Sequence, residues 1–477
     1  MTSNIMLTLA FLAGVLAVYY LTPKAGRQWI LLAASLLFYL SADPRMLLLS
    51  GGSALWSFAA GIGTERAGTK GQKKAWLLAA VLPALLVLFV FKYFNFFVGS
   101  VWSLLGAAGL SGSAPVLALA LPLGISYYTF KMISYNADVF LGKREAEKGI
   151  SGCGAYLTYV LFFPQIVSGP IERSEGFLAQ LHEGPCYDAA LFAEGMQRIV
   201  LGLFKKLVIA NRLSAYVDTV FGAPESYPGL ACVMAAFFYS FQLYCDFSGY
   251  SDIAVGMGNL LGIRSRKNFD CPYFSRGIKE FWSRWHISLS SWLKSYVYIP
   301  LGGNRVSAVR RCVNVLAVFL ISGLWHGAGW TFLIWGTIHG VWNMFARKKE
   351  PDCSPVRKIW QTLVTFLGVT LGWVFFRAES FGAALAFLRR AVTGFSLSYL
   401  DIQNSILPFT GDNTCAAYFL TACGFLFLLF LYERGRVYGK TREKGEAYLS
   451  AFWLVLMTLS VVLFGVFGVS GFLYANF

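Results

Sequence analysis

Apolar runs follow one another along almost the whole chain, near residues 5–22, 28–41, 46–62, 76–98, 115–140, 228–262, 312–345, 359–376, 414–432 and 449–475. A helix needs about 20 such residues to cross the hydrocarbon core of a bilayer, so the pattern predicts an all-α polytopic membrane protein with about 10–13 membrane-embedded helices. Its composition, 57% hydrophobic and 13% charged with a mean hydropathy of +0.58, lies outside the range of water-soluble domains. No polar stretch is long enough to fold separately in water, which leaves residues 1–477 as a single transmembrane domain.

Several runs have the wrong length for one straight crossing. Residues 28–41 are few, whereas 228–262 and 312–345 exceed a simple span and carry Gly, Asp or His near the middle. Broken or re-entrant helices are expected there, and such backbone is tolerated at membrane depth only when enclosed by protein or facing a wet cavity. The net charge of +16 sits in short loops and makes no continuous basic face, so a nucleic-acid partner is not expected. Lys24 and Arg27, the Arg66–Lys74 group, Lys143–Lys148, Arg347–Lys349 with Arg357 and Lys358, and Arg434–Lys444 alternate with loops nearly free of positive charge. By the positive-inside rule the basic loops are cytoplasmic and both termini extracytoplasmic. The first run lacks a basic leader and reads as a retained span. Nine scattered cysteines without a C-x-x-C pair suggest neither a disulfide framework nor a metal site.

Against this background a few polar residues stand out. Laid on one helix, GIKEFWSRWHISLSSWLKSY (277–296) separates into an apolar face with Trp282, Trp285, Leu289 and Trp292 and a polar face with Lys279, Glu280, Arg284 and Lys294. His286 falls at the boundary; the helix is either an interfacial anchor, which would also bring it against membrane lipid, or a cavity wall. Further on, 14 uncharged residues from Cys312 to Trp325 lead to His326. As a helix they rise about 21 Å, past the middle of a core about 30 Å thick. Gly327 and Gly329 would then turn the chain back, leaving His326 at the deep end. An ionisable group at such depth is a functional-site candidate, with a histidine satisfied by a nearby carbonyl as the alternative. Neutral imidazole tolerates burial and still accepts a proton near neutral pH.

Asp246 and Asp252 interrupt another apolar stretch and need partners; Arg284 or a histidine would serve, and so would a salt bridge between helices. In FFPQIVSGPIER (162–173) the Pro and Gly spacing predicts a turn that Glu172 and Arg173 close by pairing. His339 is expected to be structural or to line a cytoplasmic vestibule, and His182 to be a solvated loop residue.

Nucleotide-binding glycine motifs and a G-x-S-x-G nucleophile are missing. A deep histidine reached through a cavity instead suits general-base activation of a hydroxyl that attacks an acyl thioester. Repeated inverted halves are not visible, which counts against a proton-coupled transporter or polysaccharide exporter without excluding one.

The segments SGPIER, YCDFSGYSDIAVGMGNLLGI, NFDCPYFSRGIKEFWSRWHISLSSWLKSYVYIPLGGNR and ISGLWHGAGWTFLIWGTIHG, within a core of about residues 160–345, resemble the bacterial branch of the membrane-bound O-acyltransferase family. GWVFFRAESFGAALAFLRRA (372–391) extends the likeness, most of all to the alginate O-acetyltransferase membrane subunit and related acetylases of exopolysaccharides. The resemblance implies a ring of helices around a central funnel, with re-entrant and interfacial helices. It implies catalytic roles for His326, in LWHG, and for His286, in RWHISLS, where many eukaryotic members have asparagine. Asp246, Arg284, Trp285 and Trp325 are the expected supporting residues.

The implied reaction moves an acyl group, acetyl above all, from a cytoplasmic thioester to an extracytoplasmic polysaccharide hydroxyl or a partner acetyltransferase. Acetyl-CoA or an acyl carrier protein would donate it, with no permanently bound cofactor. D-alanyl transfer to teichoic acid from a carrier-protein thioester is the alternative within the family.

Overall fold

Helix starts are written into the sequence as caps. Asp43 accepts from the backbone N–H of Arg45 at 2.8 Å with Pro44 in the first turn. Thr69 and Gln72 satisfy each other's backbone in a reciprocal capping box, and Ser307 accepts from the N–H of Arg310. The computed structural model describes residues 5–109, 112–346, 354–410, 414–438 and 443–468, and among these it is helical with no strand. The Arg347–Lys349 cluster, part of the Arg434–Lys444 loop and the end of the last apolar run lie outside the described residues.

In chain order the helices are α1 (Ile5–Leu21), α2 (Lys24–Ala42), α3 (Pro44–Arg66), α4 (Lys70–Leu88), α5 (Phe94–Ala107), α6 (Ile125–Phe140) and α7 (Gly149–Leu161). Next come α8 (Ser174–Glu183), α9 (Ala189–Leu203), α10 (Asn211–Gly222), α11 (Gly229–Leu260), α12 (Ile278–Arg284), α13 (Ile287–Leu293) and α14 (Ala308–His326). The chain closes with α15 (Trp330–Phe345), α16 (Pro355–Arg377), α17 (Phe381–Thr393), α18 (Tyr399–Ile406), α19 (Cys415–Tyr438) and α20 (Glu443–Phe464). A π-helical turn at Phe89–Tyr93 joins α4 to α5 without a break, and another at Phe204–Ala210 joins α9 to α10. Among the described residues, six continuous helices are long and apolar enough to cross a membrane: α3, α4 with α5, α11, α14, α16 and α19. This is an all-α polytopic membrane protein.

Four expectations about local structure change. The run at 228–262 is one unbroken helix of 32 residues, not a broken one. Gly249 and Gly256 of α11 lie against the backbone of α9, where a Cβ on Gly249 would come within 2.8 Å of the Gly202 carbonyl oxygen. Lysines beside α11 meet both its aspartates, so the acids need no break in the helix. The run at 312–345 does divide, into α14 and α15, at the Gly327–Gly329 turn. The run at 115–140 is not helical over residues 115–124; the chain is regular only from Ile125.

The third change concerns residues 277–296, which do not form a single amphipathic helix. Trp285 is extended (φ −100°, ψ 128°) and His286 is left-handed (φ 45°, ψ 54°), so α12 and α13 are separate. The fourth is the 162–173 turn. Glu172 accepts from the backbone N–H of Arg266 at 2.7 Å, whereas Arg173 donates to Ser295 Oγ and Ser291 O. Adjacent side chains on extended backbone point to opposite sides, which keeps these two from pairing with each other.

Helices α10, α11, α12, α15 and α16 contribute to an aromatic core in which Trp285, Trp335 and Trp373 are fully buried. The Trp285 and Trp373 rings lie 4.9 Å apart, and Trp335 stacks on Trp373 at 5.6 Å. This core backs the histidines.

Candidate active site

The last residue of α14 is His326, and the chain reverses through extended glycines at 327 and 329 into α15. The imidazole stands among rings: Trp325 at 5.0 Å, Trp335 at 5.3 Å and Phe376 at 5.4 Å between centroids. It also lines a cleft of about 100 Å³ together with Lys92, Ser126, Tyr127, Val167 and Trp325. The cleft runs inward from Leu121, which is 38% exposed, to His326, which is 2% exposed. Its floor is fixed by Gly124, whose φ of +68° starts α6 while its backbone presses on the Ile166 carbonyl; a Cβ there would sit 2.6 Å from that oxygen.

His286 owes its place to the break between α12 and α13. Left-handed backbone costs a side-chain-bearing residue about 1–2 kcal/mol, and the surroundings over-determine it. Ile287 N–H donates to Asn268 O at 2.9 Å, and Asp270 N–H donates to Arg284 O at 3.0 Å, so the 268–270 strip holds the break on both sides. Asn268 Oδ1 accepts from Ser288 N–H at 3.2 Å and from Ser288 Oγ at 2.9 Å. A backbone N–H only donates, so this atom is the amide oxygen, and His286 Nδ1, 3.2 Å away, must carry the proton that it donates. In the neutral ring Nε2 then bears the lone pair, and it has no protein hydrogen-bond partner among the described residues.

The two imidazoles come together, with ring centroids 6.2 Å apart. Trp325 joins them, its indole 5.4 Å from His286 and 5.0 Å from His326. The other expected supporting residues lie elsewhere. Trp285 packs into the aromatic core against Phe281 and Trp373. Arg284 Nη2 donates to Glu280 at 2.9 Å and its Nη1 to Asp270 O. Asp246 pairs with Lys206, a partner the sequence reading did not name, in the π-helical turn after α9. Its neighbour Phe247 does reach the site, edge-on to His286 at 4.7 Å.

His339 is fully buried beside the rings of Trp282, Trp335 and Trp373, which excludes a vestibule surface and leaves the structural reading. His182 is half-exposed and faces Glu147 at 3.0 Å.

Lys92 escaped the sequence reading. Its ammonium donates to the Trp325 carbonyl at 2.6 Å, at the rim of the same cleft. The signal was available: Lys92 is the only charged residue between Ala75 and Ala107, and a lone cation inside a span deserves the suspicion given to His326. Lys205 and Lys206 were missed for another reason. They sit between short apolar stretches that do not register as a span.

Comparison with known proteins decides what kind of molecule this is. The profile of the MBOAT, membrane-bound O-acyltransferase family, matches residues 69–347. The chain belongs to this family. It is therefore an O-acyltransferase and an integral membrane protein, and group transfer replaces the transporter alternative. The match includes Lys92, His286 and His326. The acyltransferase is 38% identical over 427 residues to the probable alginate O-acetylase AlgI of Pseudomonas aeruginosa, covering 86% of this chain and 81% of the relative. It is 34% identical over 432 residues to the peptidoglycan O-acetyltransferase of Helicobacter pylori, covering 84% and 80%. Likeness to the teichoic acid D-alanyltransferase of Bacillus subtilis is 30% over 279 residues, or 54% and 69%.

Chemically, the site offers a pair of imidazoles in an apolar ring box, with His326 lining a cleft. The described residues hold no cluster of side chains able to bind a metal ion, and a thioester carries its own leaving group.

Proposed function

We propose that this acyltransferase passes acetyl from a cytoplasmic thioester to a hydroxyl of an extracytoplasmic polysaccharide, directly or through a partner acetyltransferase, with His326 as general base. The single observation that carries the proposal is the position of His326 at the inner end of a cleft that reaches the surface. Imidazole at that point takes the hydroxyl proton as the oxygen attacks the acyl carbon. The tetrahedral intermediate then expels the thiolate, which recovers the proton from the imidazolium as free thiol. His286, held through Nδ1 by Asn268, keeps its neighbour's surroundings fixed and presents a lone pair at Nε2.

Orientation follows from charge. The helix running from Lys70 to Ala107 begins among Arg66, Lys70, Lys73 and Lys74, and the segment after it that lines the cleft has no charge. Helix α14 likewise starts beside Arg305, Arg310 and Arg311 and ends at His326. Both support a basic cytoplasmic side and a cleft facing outward in a bacterial cytoplasmic membrane, with both termini extracytoplasmic. Basic loops also suit the phosphates of acetyl-CoA or an acidic carrier protein.

The acetylases cover most of this chain and the D-alanyltransferase about half, which favours acetyl over D-alanyl. To test the reading, purified protein is given radiolabelled acetyl-CoA and envelope polysaccharide of the host cell. The wild type transfers label, and His326→Ala loses transfer by at least about 100-fold while remaining folded. Undiminished transfer by that variant refutes the assignment.

A further inference from the structure

One helix end in this molecule is clamped from outside by another helix. The last carbonyls of a helix have no intrahelical donors, and at α14 three consecutive ones meet the π-helical turn of the Lys70–Ala107 span. Tyr93 OH donates to Leu324 O at 2.8 Å, and Lys92 Nζ donates to Trp325 O at 2.6 Å. The same ammonium lies 3.5 Å from His326 O and 3.5 Å from Ser126 Oγ. A π-helical turn takes in an extra residue and so redirects the side chains that leave it. Here Lys92 and Tyr93 are turned toward the end of α14, more than 200 positions away in sequence.

The partners of Lys92 separate it from the two lysines that pack beside α11. Lys205 and Lys206 face carboxylates and join helix to helix. Those of Lys92 are neutral oxygens, most of them at the negative end of a helix dipole, where a cation is favoured. That end carries His326, and Lys92 itself lines the His326 cleft.

We propose that Lys92, seconded by Tyr93, is a positioning residue for acyl transfer: it pins the terminal carbonyls of α14 and thereby sets the imidazole of His326 against the acceptor. The inference rests on the reading of His326 as general base. Displacing a reacting group by about 1 Å can cost about 100-fold in rate, so loosening the clamp should slow turnover with little effect on binding.

The experiment uses full-length protein in nanodiscs, with labelled acetyl-CoA and host-cell envelope polysaccharide, comparing Lys92→Met, Lys92→Gln and Tyr93→Phe. Rates are normalised to folded protein from size exclusion and thermal melting. Lys92→Met is expected to lower kcat at least about tenfold with KM for both substrates within about threefold. Lys92→Gln keeps an N–H donor and should recover part of that loss, and Tyr93→Phe should lose less than Lys92→Met. The proposal is overturned if kcat of Lys92→Met stays within about twofold of wild type, or if KM rises with kcat unchanged. It is also overturned if Gln performs no better than Met. Should Lys92→Met fail to fold, Lys92→Gln and Tyr93→Phe decide, and unchanged kcat in both refutes the clamp. His326→Ala run alongside keeps the two ideas apart: activity there defeats the base assignment, whereas a dead His326→Ala with a normal Lys92→Met defeats the clamp alone.

Discussion

Two regions of this protein hold polar and charged groups among apolar helices, and they treat them in opposite ways. Between α9 and α11 charge meets opposite charge: Lys206 with Asp246, and Asp252 with Lys205 at 2.8 Å and Arg198 at 3.5 Å. Around the cleft the partners seen for Lys92 and His286 are neutral, a helix's terminal carbonyls and one amide oxygen, and His326 lines the inner end of the cleft. A paired charge is spent on its partner and holds helices in register. A group whose neighbours are neutral keeps its capacity to exchange protons or to steer a ligand. Burial alone therefore does not mark function in this membrane protein, since Asp246 at 1% exposure is as hidden as His326 at 2%.

The comparison breaks if the ion-paired region proves catalytic. Asp246→Ala strands Lys206 in an apolar surround and should cost about 3–5 kcal/mol of stability, seen as a collapse in folded yield. Replacing both partners, Asp246→Leu with Lys206→Met, should restore most of that loss, because the stranded charge is gone. Transfer per folded molecule should then be near wild type; a folded double variant without activity would move Asp246 into the site. Next in size is Asn268→Ala. It deprives His286 Nδ1 and Ser288 of their acceptor, for a loss of about 1–3 kcal/mol in a melting experiment. Turnover should fall about tenfold with the acceptor KM little changed. Unaltered turnover would show that the orientation of His286 is irrelevant. Asp252→Asn is expected to do least. It removes the charge facing Lys205, whose side chain is only 5% exposed, but leaves an amide oxygen that can still accept from it, so stability should fall by about 1–3 kcal/mol, less than for Asp246→Ala, with transfer intact.

The contrast also explains what the sequence could disclose. Helical class and spans were legible because hydropathy acts locally, residue by residue along the chain. His326 was legible because the Cys312–Trp325 run has no charge and two glycines follow soon after. The break before His286 was not, since neither Gly nor Pro marks Trp285–His286; it depends on Asn268 arriving from a separate segment. The partner of Asp246 was hidden in the same way, because Lys206 reaches it only through packing of a π-helical turn on α11. Lys92 lay in plain view as a lone cation, yet its target is a set of backbone carbonyls, and backbone leaves no signature in residue types. Of the expected supporting residues, Trp325 alone was brought between the histidines, which adjacency in LWHG suggested.

Everything proposed for the site depends on the imidazole of residue 326 taking the acceptor's proton. The most direct test follows a single round of label transfer from acetyl-CoA to polysaccharide by wild type and His326→Ala, matched for folded protein in the same nanodiscs. Bound donor should remain unconsumed in the variant, with the transfer step slowed at least about 100-fold. Transfer within a few-fold of wild type would contradict it.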